Sequence, residues 1–333
     1  MNTINSEGTV ECYTAAGRRA ASWLADQQDA DGAFTDAAFQ EDIYHKNAYA
    51  LGIAGLVAAA NRLLRWVVEH DLRPDGELRH FYSPGRQQVY KDSWVCLGAH
   101  RLGRFDLSYP IAAFLLRFQA PCGGFLYHGL DDTFAQALTT AWAGTALLMA
   151  GHSEPARRAG DALLAMVAQQ PDSQRFYFRM SLDGALLTDV PAGGPRAAYV
   201  DASQPAQLYY ETGIIMVFLC RLFQATGEPR YLEGARSVFA FTLRCADDAY
   251  AHTTSGKGGV GAALLYALTG DAQARAAACR FADFLLQHQT PEGIWRIPNA
   301  PDTRINRLDM AGEYTVWLFE IAGALAAGAS NVC

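Results

Sequence analysis

Six short clusters of polar and aromatic residues recur along this 333-residue chain, each standing at the start of a Gly- and Ala-rich helical stretch. They are Tyr44-His45-Lys46-Asn47; Tyr90-Lys91-Asp92; His128 with Asp131, Asp132 and Thr133; Gln207 with Tyr209, Tyr210 and Glu211; His252 with Ser255 and Lys257; and Asn306 with Asp309 and Glu313. Carboxyls, imidazoles, phenols and amines are the groups that move protons in a site. Asp131, Asp92, His45, Tyr210 and Lys257 are therefore the candidate acids, bases and hydrogen-bond donors. Tyr44, Trp94, Asp132, Gln207, Trp142, Asp309 and Glu313 are the candidates for substrate contact, and Trp94, Trp142, Tyr209 and Trp317 could shape an unsaturated molecule or face a positive charge. Taken singly, an acid at a helix start serves as a cap and a tryptophan fills a core. Recurrence at six matching points is what marks a common pocket.

Other chemistry finds little support. Ser255-Gly256-Lys257-Gly258-Gly259 has the glycines of an anion-binding turn but lacks the strand and the spacing of a phosphate-binding loop. No GxSxG nucleophile elbow is present. Seven cysteines are scattered without a CxxC pair, so no metal site is expected; Cys122, in a glycine turn, is the one to watch. No cofactor is expected. A net charge of -7 without a Lys/Arg cluster argues against a nucleic-acid partner. No apolar run reaches the roughly 20 residues that span a bilayer, and the first residues carry no signal-peptide pattern. The expectation is a cytoplasmic protein with reduced thiols and a small-molecule substrate. The oligomeric state is not written in the sequence.

Such clusters need a scaffold that converges them. Gln28-Asp-Ala-Asp31-Gly32-Ala-Phe34, Gln119-Ala-Pro-Cys122-Gly123-Gly124-Phe125 and Gln289-Thr-Pro-Glu292-Gly293-Ile294-Trp295 share one pattern: Gln, three residues, Gly, one residue, then an aromatic. Each follows an amphipathic helical run, and the repetition points to an array. Helical stretches read at about 11–24, 44–60, 62–70, 91–104, 108–119, 132–151, 154–170, 205–226, 229–245, 257–270, 271–289 and 308–327. Gly/Ala-rich helices alternate with amphipathic ones that keep one wet face. Twelve alternating helices predict an all-α chain with a single (α/α)6 toroid over 1–333, inner ring within outer ring. Ser153 reads as an N-cap, and Gly227 and Gly270 as helix ends. Arg175-Phe-Tyr-Phe-Arg179 alternates like a strand and predicts a small β-hairpin in the 170–204 loop.

The three Gln/Gly/aromatic turns resemble the QW repeats of the terpenoid cyclase and protein prenyltransferase superfamily. Sugar epimerases, unsaturated glucuronyl hydrolases and linalool dehydratase-isomerase are built on the same barrel type. The resemblance implies a site at the end of the barrel where loops enter the inner helices. Gly129-Leu130-Asp131-Asp132-Thr133-Phe134 is similar to the DxDDTA element of class II terpene cyclases, which implies Asp131 as the acid that protonates an alkene or epoxide. Gly129 stands where that element has its first Asp, and Phe134 replaces its Ala. The zinc ligands of prenyltransferase β subunits have no counterpart.

Three functions compete. The first is a cofactor-independent acid/base cyclase or isomerase acting on an apolar, isoprenoid- or polyketide-like molecule. The second is a carbohydrate enzyme, an epimerase or a hydrolase with paired carboxylates, in which Arg175, Arg179 and Arg196 recognise an acidic sugar. The third is a binding toroid without catalysis. An apolar cavity favours the first, a lining of carboxylates and amides the second, and a filled centre the third.

Overall fold

The computed structural model describes residues 6–34, 44–79, 87–127, 129–296 and 302–330. Among them the chain forms α1 (Ser6–Asp26), α2 (Asn47–Ile53), α3 (Val57–Trp66), α4 (Gln88–Arg101), α5 (Phe105–Leu115) and α6 (Ala137–Met149). The second half adds α7 (Ser153–Ala168), α8 (Tyr210–Thr226), α9 (Pro229–Thr242), α10 (Gly256–Thr269), α11 (Ala272–His288) and α12 (Arg304–Ser330). The even-numbered helices pack side by side in sequence order, and α12 closes on α2. Each odd-numbered helix lies outside: α1 against α12, then α3, α5, α7, α9 and α11 against the inner helix that precedes each. This is the expected double ring.

Composition decides which helix goes where. Residues 88–99 of α4, 137–147 of α6 and 256–266 of α10 are buried on every face. Such helices carry no wet stripe, and they touch backbone to backbone: a methyl group on Gly213 would stand 2.2 Å from the Gly258 nitrogen, and one on Gly98 would stand 2.8 Å from the Tyr49 nitrogen. The outer helices keep an exposed polar face and bury an apolar one, as α11 does with Ala274, Ala278, Phe281 and Leu285. The main hydrophobic core runs from Tyr13 to Leu325, and a small second cluster joins Tyr177, Ala198 and Tyr199.

Three local readings are corrected. The stretch 44–60 is not one helix. It breaks after Ile53, where Gly55 takes φ +85° so that the chain can reverse from inner to outer ring, and it resumes at Val57. Ser153 is the first residue of α7 and makes no capping bond, whereas Asp271 does cap α11, accepting from the Gln273 and Ala274 amides at 2.8 and 3.4 Å. The strand signal at 175–179 is real but divides between two partners. β2 (Arg175–Tyr177) pairs antiparallel with β4 (Tyr199–Asp201), while β3 (Arg179–Ser181) leaves the loop to pair with β1 (Phe134–Gln136) just before α6. Gln136 stands opposite Arg179 in that register. Gly227 and Gly270 end their helices in left-handed conformation, as expected.

The Gln/Gly/aromatic turns are clamps between outer helices. Gln28 Nε2 donates to the Gly32 carbonyl at 2.8 Å and to Ala59 in α3 at 3.0 Å. Gln119 does the same with Gly123 and with Pro155 in α7, both at 2.9 Å, and Gln289 with Gly293 at 3.2 Å and Ala16 in α1 at 2.9 Å. Each glycine has φ between +91° and +93° and lies against the next outer helix. Gly76 adopts the same conformation at φ +90°, with the same backbone closure from Arg73 to Glu77, and abuts Pro110 in α5. A fourth joint thus exists with Leu72 in the Gln position. Replacing Gln119 with Ala removes two hydrogen bonds to backbone carbonyls and should lower stability by about 2 kcal/mol. Urea unfolding should show this with an unchanged slope; an unchanged midpoint would mean the clamp is dispensable.

Candidate functional site

The outer-to-inner loops meet at the end of the ring where the inner helices begin. A cavity of about 270 Å³ opens there, and all six inner helices reach it: Lys46 from the residue preceding α2, Tyr90 from α4, Leu138 from α6, Tyr210 from α8, Lys257 from α10, and Asp309, Glu313 and Tyr314 from α12. Gln87, Thr253, Thr254 and Met310 complete a lining that mixes charged and hydroxyl groups with the apolar surfaces of Leu138, Met310 and the tyrosine rings.

Glu313 organises this end. Its carboxylate accepts from Lys257 Nζ at 2.8 Å, from Lys46 Nζ and from Trp317 Nε1 at 3.1 Å. Lys46 also pairs with Asp309 at 2.8 Å. Burial opposes charge on Glu313, but the two ammonium groups outweigh it and hold the carboxyl well below the usual range. Burial likewise opposes charge on both lysines, yet Asp309 and Glu313 keep Lys46, and Glu313 keeps Lys257, protonated beyond the ordinary lysine range. The Lys257 ammonium lies 5.2, 5.5 and 5.6 Å from the ring centres of Trp317, Tyr90 and Tyr210, so three aromatic faces add to its binding.

Below the cavity the ring is filled. Trp94, Trp142 and Trp317 are fully buried, with centroid separations of 4.5, 5.5 and 6.0 Å. Trp94 and Trp142, expected to meet substrate, form a packed floor with no face open to it. The indole N–H groups of both lack a hydrogen-bond partner.

The remaining expected residues divide. Tyr210, Lys257, Asp309 and Glu313 come together at the cavity. His45 is buried with its ring edge-on to Tyr90, 6.1 Å between centroids. Tyr44 turns outward: its hydroxyl bonds Asp71 and its ring packs on Trp66 of α3. Asp92 is fully buried one turn into α4 and accepts from Gln88 Nε2 at 2.9 Å. Gln207 braces the loops, accepting from the Asp201 amide at 3.2 Å and, through its carbonyl, from Thr254 Oγ1 at 2.7 Å. Asp131 lies exposed in the 129–132 turn, where Asp132 accepts from the Gly129 amide at 3.4 Å. Asp131 is not among the residues that line the cavity. His128 lies outside the described residues.

Glu211 carries a stronger signal than the acids singled out above. It is 1% exposed, accepts from the Gln136 amide and from the Leu138 N–H at 3.1 Å, and is pushed up to about 7 by burial, which outweighs those bonds and the nearby Lys257 and Arg179 charges. Its neighbour Tyr210 is raised far above an ordinary phenol, by burial and then by the Glu211 charge, so it stays protonated. The sequence named Glu211 within its cluster, but nothing in the pattern distinguishes a buried acid from a capping one.

No protein-family model and no curated protein sequence matches the chain. Solved structures do. A GH76 α-mannanase of Bacteroides thetaiotaomicron superposes with a TM-score of 0.65 at 12% identity over 96% of each chain. A D-mannose isomerase gives 0.65 at 13% identity, covering 95% of this chain and 97% of its own. The chain is an (α/α)6 toroid. The type II terpene cyclase MstE from Scytonema shares the fold too, at 0.60 and 18% identity over 94% of this toroid and 99% of its own chain.

Two variants probe the charges. Glu313→Gln strands the buried Lys257, leaves Lys46 with Asp309 alone, and should cost about 3 kcal/mol, measured by chemical denaturation. Glu211→Gln isolates the titration of Glu211. A carboxyl raised from 4.5 to about 7 in the folded state stabilises it fully below pH 4.5, and that contribution fades as pH rises through 7. Wild type should therefore lose on the order of 3 kcal/mol relative to the variant across this window; parallel pH profiles would refute the raised value.

Proposed function

We propose that this toroid is an acid/base enzyme acting on a small, hydroxyl-rich substrate, an isomerase or epimerase of a monosaccharide-sized compound. The observation that carries the reading is the cavity: five inner helices, with the residues just before them, deliver ammonium, carboxylate, phenol, amide and hydroxyl groups to about 270 Å³ above a solid tryptophan floor, and α6 contributes Leu138. That volume falls just below the roughly 300–1,000 Å³ of ligand sites and is small for a long isoprenoid chain, while its ammonium, carboxylate and hydroxyl groups can bind substrate hydroxyls. The mannose isomerase and the α-mannanase of the same fold act on sugars, as their names state, which supports the choice over the apolar-substrate reading without deciding it.

The chemistry follows from the charges. Lys257 and Lys46 remain protonated and present fixed donors to a substrate oxygen on which negative charge develops. Glu313 holds both amines in place. Glu211, poised near neutrality and bonded to the amide of Leu138, which lines the cavity, takes the proton from the carbon beside a substrate carbonyl, and the protonated Tyr210 hydroxyl donates to the substrate. Returning that proton to the neighbouring carbon, as the hydroxyl proton passes from the second oxygen to the former carbonyl oxygen, gives the isomer, and returning it to the other face of the first carbon gives the epimer; no atom is gained or lost.

Incubation with aldoses and ketoses in D2O, followed by proton NMR, tests this. Deuterium should appear at the carbon beside the carbonyl. The rate should rise with pH through about 7, the Glu211 midpoint. Glu211→Gln should flatten that rise and slow turnover by about 10²–10⁴-fold. Absence of exchange on every sugar, together with turnover of geranylgeranyl dihydroxybenzoate, the substrate bound in one MstE structure, would replace this function with the cyclase reading.

A further inference from the structure

Among the described residues, two other than glycine hold a left-handed backbone: Gln87 at φ +52° and Ala206 at φ +56°. Each stands in a loop that enters an inner helix, Gln87 just before α4 and Ala206 before α8. An L residue in that region brings Cβ close to the following carbonyl oxygen, and such residues gather at ligand sites, where the surrounding fold holds them in place. The two differ in what restrains them and in what they face. The Ala206 amide donates to the Asp248 carboxylate at 2.7 Å, and Ala206 is not among the cavity residues. Gln87 lines the cavity together with Tyr90, Tyr210 and Lys257. It stands at the start of α4, yet its side chain makes no capping bond, so capping does not account for it. Instead its Nε2 donates to the Tyr127 hydroxyl at 2.9 Å, and the Tyr127 ring stacks on Phe134 with 6.3 Å between centroids. The carboxamide is thus anchored at one end by a residue of another loop. Among the described residues nothing donates to its other end, the Oε1 oxygen.

That oxygen is an acceptor only, and the bond to Tyr127 keeps the amide from turning over to present its donors. The charged groups of the cavity offer the reverse. Lys46 and Lys257 are donors, and the carboxylates of Asp309 and Glu313 are tied to them. We propose that Gln87 is a specificity-determining residue of the cavity: its Oε1 accepts a hydrogen bond from one substrate hydroxyl and selects against molecules that carry hydrogen at that position. A polar group placed for a substrate hydroxyl discriminates sharply, because an analogue without the hydroxyl leaves it desolvated and unpaired. This inference rests on the sugar reading of the cavity and names the feature of the sugar that is read, a hydroxyl recognised as a donor.

Calorimetric titration with D-glucose, D-mannose and D-fructose selects the parent sugar, the one that wild type binds most tightly. Its monodeoxy analogues then test each hydroxyl in turn. Wild type should bind at least one analogue about tenfold or more weakly than the parent. Gln87→Gly removes the carboxamide and suits φ +52°, so it should fold normally and bring the ratio for one such analogue towards one. Gln87→Glu keeps an accepting oxygen on the same stem and should keep most of that ratio. A merely structural role would weaken parent and analogue alike and leave the ratio unchanged. Circular dichroism checks folding; if Gln87→Gly is not folded, Gln87→Asn, whose shorter amide tolerates the left-handed region, takes its place. Ratios that all survive in the variant would overturn the role of Gln87 and leave the sugar reading standing. So would a wild type that binds the parent and every analogue equally. Failure of all three sugars to bind would overturn both.

Discussion

The inner ring closes because neighbouring helices meet at glycine. Gly213 presses on the backbone of α10 at Gly258, Gly98 on that of α2 at Tyr49, and Gly144 and Gly256 lie under the Phe218 and Trp317 rings, with a methyl group in any of the four standing less than 3 Å from its neighbour. Interiors packed at this density do not absorb an added methyl group cheaply. The spacing of the helices sets the bore of the ring, and the bore is just filled by three indoles. Space for a ligand opens above them, where the inner helices begin and loops replace side-chain packing.

Charge is distributed around that floor in a regular way. Glu313, Trp317 and Glu320 follow one another at four- and three-residue spacing along α12, the spacing that keeps side chains on one face of a helix. Glu313 meets two lysines above the tryptophans. Glu320 meets Arg221 at 3.0 Å and the Tyr49 hydroxyl at 2.7 Å below them. Buried ion pairs return little net stability, but losing one partner is expensive. The two sets act as staples on a ring whose last helix must find its first. The lower set is enclosed by the ring, where Arg221 Nη1 is left without a hydrogen-bond partner, whereas the upper one adjoins open space.

The amino-acid sequence carried the architecture well and the site unevenly. Ring membership was legible because it depends on composition: glycine and alanine where backbones touch, an amphipathic stripe where one face is wet. The clamps were legible because Gln, Gly and an aromatic at fixed spacing have few other uses, although Gly76 shows the same joint formed without Gln. Which residues face the cavity was not legible from the clusters alone. Tyr44 and Lys46 are two residues apart, and one turns to Asp71 while the other turns to Glu313. The pairing of Arg179 with the strand before α6, which brings a loop arginine beside Glu211, is a long-range event that no local pattern encodes.

The tryptophan floor also has an optical consequence. Three of the six tryptophans in the chain sit in one dry layer. Trp317 alone among them donates its indole N–H to Glu313 and carries the Lys257 ammonium over its ring. Indole emission responds to nearby charge and to the polarity of its hydrogen-bond partners. Any molecule that draws Lys257 or Glu313 upward changes the field on Trp317 without touching it. The floor of the ring is thus a native fluorescent gauge of occupancy, read through the protein's own charges and needing no attached label.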